Sequence, residues 1–511
     1  MFNKTFSAAV HGINGFLVQV EADISDGLPE FLMVGYLASE VKEAKERVRI
    51  SLKNSGFKLP VKRITINLSP ADVKKEGTAF DLPIAVAILV TLGFIPEENI
   101  RDTLIIGELS LNGEINKVNG VLPIVKMALG QGFSRCIVPL DNAKEGAVIS
   151  DIDVIGVKSL EEVVRYLNNE SIIEPEYVDV EKLFQHYDEE TDIDFSDIHG
   201  QVAAKRAVEI AVSGMHNILF IGTPGAGKTM LAKRIPTIMP ELTLEESMEI
   251  SKVYSVFGLL NNDQSLILKR PFRSPHHTIS LTALTGGGRK ARPGEISLAN
   301  GGVLFLDELP EFNKNTLEIL RQPLEDKDVT ITRLNGSFRY PANFMLVAAM
   351  NPCNCGYYPD RNRCSCSVNQ VQRYLGKISQ PLLDRIDICI ETLQINYKEL
   401  EQNIINESSR EIRKRVMKAR MIQLERYQEE EIHFNSELTP KMIQKYCNLG
   451  ASEKRLLEKA FHHLNLSARA YHRILKVART IADLEDSLDI KASHLNEAIC
   501  YRSIDKKYWS M

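Results

Sequence analysis

The sequence HNILFIGTPGAGKTMLAKRI, residues 216–235, joins an apolar run, a glycine-rich segment and a helix-forming segment. The apolar run Ile218–Ile221 predicts a buried strand, and the residues after Lys228 predict a helix. The glycines free the loop between them, so that successive backbone N–H groups can converge on phosphate oxygens at the helix N-terminus. The pattern G-x-x-x-x-G-K-[ST] in this context predicts a nucleoside triphosphate site.

Eight consecutive residues form this predicted phosphate loop. The ammonium of Lys228 would bridge the terminal phosphates of ATP, and the hydroxyl of Thr229 would ligate Mg²⁺. The alternative is a glycine-rich turn that matches the pattern by chance, and the strand-loop-helix context makes that alternative rare. The predicted ATP-binding residues are Gly222, Thr223, Pro224, Gly225, Ala226, Gly227, Lys228 and Thr229.

A second apolar strand, Val303–Leu306 in GGVLFLDELPEF, ends at two acidic residues. Asp307 is placed to hold Mg²⁺ through water, and Glu308 is placed to polarise the attacking water as a general base. Acidic residues at strand ends are common, so this pair is a weak signal alone. Together with the phosphate loop it predicts a hydrolytic site.

Further polar residues follow at intervals along the chain. Asn351 ends the apolar strand FMLVAAMN, where it either positions the same water or is a turn residue. Arg385, in PLLDRIDICIE, either forms a plain ion pair or reaches a neighbour's nucleotide as a charge-stabilising finger. In LSARAYHRILKVARTIADLE, Ser467 is expected to cap a helix, and Arg469 or Arg473 to contact phosphate.

This ordered set resembles the motifs of AAA+ ATPases. The segments RPFRSPHHTISLTALTGGG, RPGEISLANGGVLFLDELPEF and QPLLDRID resemble the magnesium-chelatase-like ComM/YifB family, and the resemblance covers essentially the whole chain. It implies a homohexameric ring with ATP at the subunit interfaces. It also implies Asn351 as a sensor, Arg385 as the finger and Arg469 as a second sensor. Arg473 is the alternative for the last role.

The N-terminal region resembles the Lon protease fold, from GFLVQVEADI through GEINKVNGVLPIVKMALGQGFSRCIVPLDNAKE. Lon-type proteases need a serine nucleophile that acts with a lysine base. In the corresponding stretch KEGTAFDLPIA, Ala79 and Phe80 stand where the nucleophile should be, and Lys126 has no evident serine to activate. We therefore expect a non-proteolytic scaffold.

The composition is that of a globular protein with several domains, because 511 residues exceed one ordinary core. The predicted fold is α/β, with a Lon-protease-like domain at 1–168, an acidic linker at 169–193, an AAA+ core with a parallel sheet at 194–393 and a helical lid at 394–511. The apolar run 82–95 is too short for a membrane span and predicts a buried helix. Without a secretory signal, we expect a cytoplasmic protein with no membrane partner.

A net charge of −5 argues against DNA binding by bulk electrostatics, so any contact with DNA must be local. The segment DVTITRLNGSFRYPANF predicts two strands joined at Asn335-Gly336, with Arg333 and Arg339 flanking the turn. In related AAA+ proteins such a hairpin projects into the central pore, where six copies would contact branched or single-stranded DNA. The basic insertion 269–292 adds positive charge. The alternative is a hairpin that supports the ring interface, with its arginines paired to acids.

The family resemblance implies an ATP-driven DNA motor, with helicase or branch-migration activity in homologous recombination or natural transformation. One alternative is a chelatase-type or protein-remodelling ATPase that drives a partner protein, since the core resembles the magnesium-chelatase subunit. The Lon-like N-terminal region argues against it. Another alternative is a nucleotide-dependent scaffold without turnover.

The stretch MNPCNCGYYPDRNRCSC, residues 350–366, holds four of the eight cysteines. Cys353, Cys355, Cys364 and Cys366 form two Cys-x-Cys pairs, with a loop between them long enough to wrap a tetrahedral Zn²⁺. In a reducing compartment, clustered cysteines indicate a metal more often than a disulfide. We expect a structural zinc site beside Asn351, with unligated thiols as the alternative.

Overall fold

A computed structural model describes residues 2–185, 193–261, 265–288, 291–333, 336–394, 406–464 and 466–509. The chain forms two compact units, each built from separated segments. The first unit comprises Met1–Asp188, Thr243–Leu268 and Thr330–Tyr340, and the second comprises Glu189–Leu242, Lys269–Val329 and Pro341–Met511. Among the described residues, no helix is both long enough and apolar enough to cross a bilayer.

A seven-stranded sheet forms the centre of the first unit. From edge to edge its strands are Glu30–Val34, Arg63–Ser69, Asn14–Ser25, Phe2–His11, Thr103–Ile105, Arg135–Pro139 and Asp153–Val157. Asn14–Ser25 pairs antiparallel with both of its neighbours, and the other pairs are parallel. Alternate residues of Asn14–Ser25, from Val18 to Ile24, are buried, as expected for a strand with one face on a core.

The helices of the first unit are Ser39–Asn54, Asp81–Thr91, Val121–Gly130, Leu140–Gly146, Leu160–Leu167, Val180–Gln185 and Leu244–Phe257. Every residue of Asp81–Thr91 is buried, which confirms the predicted core helix. The dipeptide Asn14-Gly15 near the N-terminus predicts a hairpin turn. The hairpin is present, but its turn is Gly12–Ile13, because Asn14 is already paired with His11. Gly12 has a φ of 67°, a left-handed conformation that glycine adopts without steric cost.

A five-stranded parallel sheet forms the centre of the second unit, as predicted. Its strand order is Phe272–Arg273, Val303–Leu306, Met345–Met350, Ile218–Gly222 and Ile388–Thr392. The three inner strands are buried at every residue, which explains their continuous apolar sequences. Because the strands are parallel, the residues after Gly222, Leu306 and Met350 lie at one sheet edge. The residues before Ile218 and Ile388 lie at the opposite edge.

The helices of the second unit are Val202–Gly214, Lys228–Ile238, Leu281–Thr285, Glu295–Leu298, Lys314–Glu318, Arg321–Asp326, Val368–Leu375, Gln380–Leu383, Ser409–Arg426, Pro440–Tyr446, Ala451–His463, Ala468–Leu484 and Ala492–Trp509. The described residues after 405 form helices and no strand, which confirms the helical C-terminal region. Ser467 Oγ accepts a hydrogen bond from the Ala470 N–H at 3.2 Å and caps its helix, as predicted.

Short two-stranded ribbons are also present: Glu108–Leu109 with Ile115–Asn116, Gly286–Gly287 with Arg292–Pro293, and Asp328–Arg333 with Gly336–Pro341. The last ribbon is the predicted pore hairpin. Asn335, of the predicted Asn335-Gly336 turn, lies outside the described residues together with Leu334.

Candidate nucleotide site

Glycines shape the phosphate loop between the strand Ile218–Gly222 and the helix Lys228–Ile238. Gly225 and Gly227 have φ values of 76° and 77°, in the left-handed region. A Cβ on Gly222 would lie 2.1 Å from the hydroxyl of Thr392, so a side chain is excluded at that position. The loop therefore connects the end of the strand directly to the N-terminus of the helix. Backbone N–H groups at a helix N-terminus bind phosphate.

The side chain of Lys228 is buried and its ammonium donates three hydrogen bonds. The acceptors are the carbonyl oxygens of Gly222 at 2.8 Å and Thr223 at 3.0 Å, and Oδ1 of Asn351 at 3.0 Å. Burial lowers the pKa of Lys228, and the carboxylates of Asp307 and Glu308 act in the opposite direction. The predicted sensor is thus brought into contact with the phosphate-loop lysine.

The two predicted magnesium ligands are in direct contact. Thr229 Oγ1 donates to Oδ2 of Asp307 at 2.7 Å, and oxygen ligands of this kind are those that Mg²⁺ prefers. Glu308 follows with a φ of 52°, a left-handed conformation that is uncommon outside glycine. Backbone strain of this kind is concentrated at functional sites. The Glu308 side chain is 59% exposed, so water can reach its carboxylate.

A histidine that the motif analysis did not place at this site lies beside Glu308. Nδ1 of His277 is 3.7 Å from Oε2 of Glu308, and the His277 ring packs on His276 with 4.0 Å between centroids. The sequence predicts DNA contact for the basic insertion that contains both histidines. Nothing in the local sequence indicates the contact with Glu308, because it arises from the fold.

Two arginines of the same insertion are held by neighbouring groups. Arg270 donates to three backbone carbonyls at 2.5, 2.7 and 3.2 Å. Arg273 forms a bidentate ion pair with Glu295 at 2.7 and 2.8 Å. Arg289 and Lys290 lie outside the described residues. These contacts show that part of the basic insertion stabilises the fold.

Arg385 precedes the strand Ile388–Thr392 and therefore lies at the sheet edge opposite Lys228. Its side chain is 6% exposed, and Nη2 lies 2.7 Å from Oε1 of Glu325. Nε and Nη1 donate to backbone carbonyls at 2.9 and 2.6 Å. A strand of five residues separates the two edges by about 16 Å, at 3.3 Å per residue. Arg385 therefore cannot reach the phosphate loop of its own chain.

Arg469 contacts the same carboxylate, with Nη2 3.8 Å from Oε1 of Glu325 and a side chain that is 59% exposed. Arg473, the alternative second sensor, instead forms an ion pair with the buried Asp387. Burial raises the pKa of Asp387, but Arg473 and a neighbouring histidine outweigh burial and hold that pKa below its usual range. Two arginines that the sequence identified separately, in the core and in the lid, thus meet at Glu325.

The four cysteines of residues 350–366 converge. Their Sγ atoms all lie within 4.8 Å of one another. Cys355 Sγ is 3.3 Å from Cys353 Sγ and 3.5 Å from Cys364 Sγ, and Cys366 completes the group. Tetrahedral Zn–S bonds of about 2.3 Å place sulfur atoms about 3.8 Å apart. The donor set and its spacing fit a Cys₄ zinc site.

The cysteine loop also touches the phosphate loop. Gly356 has a φ of 86°, and a Cβ on it would lie 2.5 Å from Cδ of Pro224. Burial raises the pKa of Cys355, but the Tyr357 N–H and the neighbouring thiols outweigh it and lower that pKa to about 6. The contacts around Cys355 thus favour its ionised form.

The two hairpin arginines are exposed, as a DNA contact requires. The hydroxyls of Thr332 and Ser337 hydrogen-bond at 3.2 Å, which places these two residues on one face of the ribbon. Because side chains alternate along a strand, Arg339 shares that face and Arg333 lies on the other. Positive charge is therefore presented on both faces.

Phe80, one of the two residues predicted to stand at the position of a Lon nucleophile, belongs to the core of the first unit. Phe80 is 1% exposed and directly precedes the buried helix Asp81–Thr91. Lys126 is half-exposed and lies 3.7 Å from Glu249. The absence of proteolysis remains a prediction.

The fold and this site define a P-loop nucleoside triphosphatase of the AAA+ class, with the phosphate loop, the Asp-Glu pair and a polar sensor on one edge of a parallel sheet. Three family models match the chain: Magnesium chelatase, subunit ChlI, over residues 194–400; Subunit ChlI of Mg-chelatase over 20–142; and Magnesium chelatase, subunit ChlI C-terminal, over 406–502.

Full-length relatives make the assignment more specific. The chain is 42% identical to Competence protein ComM of Haemophilus influenzae over 502 residues, which cover 98% of this chain and 97% of that protein. It is 42% identical to YifB of Escherichia coli over 501 residues, which cover 98% of this chain and 96% of that protein. The chain is 24% identical to the magnesium-chelatase subunit ChlI of Guillardia theta over 238 residues, which cover 42% of this chain and 62% of that protein. The chain belongs to the ComM/YifB family of magnesium-chelatase-like AAA+ proteins.

Membership of this family indicates ATPase activity, with ATP and Mg²⁺ as cofactors, and assembly into an oligomer. The residues at the site fit these cofactors. The phosphate loop supplies backbone N–H groups and the Lys228 ammonium for ATP, and Thr229 and Asp307 supply oxygen atoms for Mg²⁺.

Proposed function

We propose that the protein is an ATP-driven, ring-forming motor that acts on DNA, with helicase or branch-migration activity in homologous recombination or natural transformation. The observation that carries this proposal is the placement of Arg385 and Arg469 at the sheet edge opposite Lys228. Because Arg385 cannot reach the nucleotide of its own chain, it is suited to the nucleotide of the next subunit. A closed ring gives every subunit such a neighbour, and we propose a homohexamer.

Within one subunit, each side chain of the site has a separate role in ATP hydrolysis. Lys228 would exchange its contacts with backbone carbonyls for phosphate oxygens, and Thr229 and Asp307 would hold Mg²⁺. Glu308 accepts a proton from the attacking water, and Asn351 positions that water next to Lys228. Mg²⁺ supplies charge stabilisation for the phosphate oxygens.

At the interface between subunits, Arg385 and Arg469 would supply further positive charge to the nucleotide of the neighbouring subunit. Glu325 holds Arg385 and Arg469 together, so the core and the lid present one paired group to the neighbouring subunit. A guanidinium that stabilises the transition state in this way is worth about 10³ to 10⁵ in rate in other nucleoside triphosphatases. Hydrolysis in one subunit would thereby depend on the position of the next.

DNA as the substrate is supported by the exposed arginines on both faces of the hairpin and by the relatives. The full-length relative from Haemophilus influenzae is a competence protein, and we extend a role in natural transformation to this chain on that basis. Six hairpins around a pore would concentrate positive charge locally despite the acidic total. The DNA would be branched or single-stranded.

Two measurements test this proposal together: the ATPase rate with single-stranded, duplex and branched DNA, and the oligomeric state by analytical ultracentrifugation. We expect an ATP-dependent ring whose hydrolysis is stimulated by DNA, most strongly by branched DNA. Hydrolysis that no DNA stimulates, together with no ATP-dependent processing of DNA, would overturn the proposal.

A chelatase-type or protein-remodelling ATPase is the second candidate, because the three magnesium-chelatase models together match most of the chain. It predicts a dedicated partner protein that is captured in an ATP-dependent manner and whose activity requires ATP. A scaffold without turnover predicts instead that Glu308→Gln changes nothing. The motor predicts that this variant binds ATP and stalls before hydrolysis.

We also propose that Cys353, Cys355, Cys364 and Cys366 hold a structural Zn²⁺. Four soft thiolates at this spacing favour zinc, which would cross-link the loop without entering the reaction. Persistently reduced thiols require a reducing compartment, in keeping with a cytoplasmic location. The cross-link would stiffen the segment between Asn351 and the residues that touch Pro224.

For the N-terminal region we propose a Lon-like, non-proteolytic scaffold. Covalent proteolysis needs a nucleophile beside a base, and this chain offers Ala79 and a buried Phe80 at the nucleophile positions. An unfolded casein substrate should stay intact with ATP and Mg²⁺. Cleavage that is lost in Lys126→Ala would contradict this assignment.

A further inference from the structure

Two segments that follow the phosphate loop in sequence fold as part of the first unit. These segments, Thr243–Leu268 and Thr330–Tyr340, belong to the same unit as Met1–Asp188. The first contains the helix Leu244–Phe257, and the second contains most of the two strands of the pore hairpin. The N-terminal region is therefore built together with the hairpin that is proposed to contact DNA.

Buried hydrogen bonds hold the helix Leu244–Phe257 against the N-terminal region. Ser255 Oγ donates to Glu145 at 2.5 Å, and the Ser255 carbonyl accepts from the Gly120 N–H at 3.0 Å. Both Ser255 and Glu145 are buried. A satisfied buried network of this kind makes an attachment rigid.

The hairpin strand Gly336–Pro341 contacts the turn that joins the first two strands of the chain. The rings of His11 and Phe338 pack with 4.5 Å between centroids and 33° between planes. A Cβ on Gly336 would lie 3.6 Å from Nε2 of His11, and a Cβ on Gly12 would lie 3.6 Å from the Arg339 carbonyl. The N-terminal turn and the hairpin therefore form one continuous surface.

The chemistry of this surface suits an unpaired nucleic acid strand. His11 is exposed and Phe338 is half-buried behind it, so one face of the imidazole ring is backed by an aromatic ring. The described residues Thr330–Arg333, Gly336–Tyr340 and His11–Asn14 contain two arginines and no carboxylate. Aromatic rings next to positive charge bind single strands by base stacking and phosphate contact.

We propose that the N-terminal domain shares in DNA binding, with His11 as a stacking platform for an unpaired base, backed by Phe338, while Arg333, on the same face of the hairpin as Phe338, contacts the phosphate backbone. This inference rests on the proposed function, since single-stranded DNA is its ligand. It gives the N-terminal domain a part in handling DNA in addition to its role as a scaffold.

Fluorescence anisotropy with a labelled oligo(dT) of about 30 nucleotides tests this inference on the full-length protein with ATP and Mg²⁺. We expect His11→Ala to weaken binding about tenfold, within the range for loss of one base–aromatic stack. His11→Phe restores a ring and should bind within about twofold of wild type. Phe2→Ala is the matched control, because Phe2 is an exposed ring at the other end of the same strand, and it should bind as wild type does.

The outcomes separate this inference from the function on which it rests. Wild-type binding with unchanged affinity in His11→Ala would overturn the role of His11 and leave the DNA motor standing. Equal losses in His11→Ala and Phe2→Ala would also overturn it. A wild-type protein that binds no DNA would overturn both the inference and the proposed function.

Discussion

The ammonium of Lys228 donates a hydrogen bond of 3.0 Å to Oδ1 of Asn351, which joins the phosphate loop to the neighbouring strand of the sheet. Parallel pairing of Ile218–Gly222 with Met345–Met350 brings these distant residues to the same edge. A phosphate that draws Lys228 towards itself must weaken this bond. Asn351 is therefore placed to respond to the terminal phosphate of ATP.

Asn351→Ala should retain ATP binding and hydrolyse ATP more slowly. The expected reduction is about tenfold to a hundredfold, because a hydrogen bond to a charged group is worth about 1.5–3 kcal/mol. Lys228→Ala, in contrast, should lose ATP binding itself. A fluorescent ATP analogue measures binding and phosphate release measures hydrolysis. An Asn351→Ala protein that hydrolyses ATP at the wild-type rate would refute the sensor role.

Arg385→Ala should lower the ATPase rate by about 10³-fold and retain ATP binding, as for other arginine fingers. Arg469→Ala should lower it in the same way. Mixing Arg385→Ala with Lys228→Ala subunits should restore part of the activity, because one variant keeps the phosphate loop and the other keeps the finger. Arg101→Ala, at an exposed ion pair in the first unit, is the control and should match wild type. Mixed rings without any restored activity would contradict action across the interface.

Elemental analysis should find about one zinc per chain in the purified protein. Changing Cys353, Cys355, Cys364 and Cys366 to serine should remove the zinc, whereas Cys500→Ser, at an exposed cysteine outside the group, should retain it. Because the loop touches Pro224, the zinc-free variant should also bind ATP more weakly. Less than about half an equivalent of zinc in the wild-type protein counts against the site.

Asp387→Asn should lower the free energy of unfolding by about 3 kcal/mol at pH 7, because a partly buried Arg473 loses its counter-charge. The pKa of Asp387 is held below its usual range, so its ionised form stabilises the fold above about pH 4. That contribution is lost as the pH falls through the folded-state pKa. Urea unfolding at pH 7 and pH 3 should show a smaller difference between wild type and variant at pH 3. A constant difference would show that the ion pair is not its source.

The core of the site could be predicted from sequence because its strands are buried on both faces and read as continuous apolar runs. Gly222, Asp307 and Asn351 each follow such a run, and parallel strands bring their ends to one edge. Glu325 and His277 could not be predicted in this way. Each is an ordinary residue in its local sequence, and its contacts arise only when distant segments pack together.

Local patterns also do not reveal which core an amphipathic segment joins. The sequence assigns Leu244–Phe257 to the range 194–393, and the structure groups this helix with the first unit. The position of the N-terminal turn likewise cannot be predicted from local sequence alone. Gly12 and Gly15 are both suited to a turn, and the observed pairing of His11 with Asn14 selects Gly12.

The central claim is that ATP hydrolysis drives work on DNA, and strand displacement from a branched DNA substrate tests it most directly. With ATP and Mg²⁺ the wild-type protein should release the displaced strand, whereas a non-hydrolysable analogue should support binding without release. Glu308→Gln should bind both ATP and DNA and release none. Displacement by neither protein, or equally by both, would contradict the account.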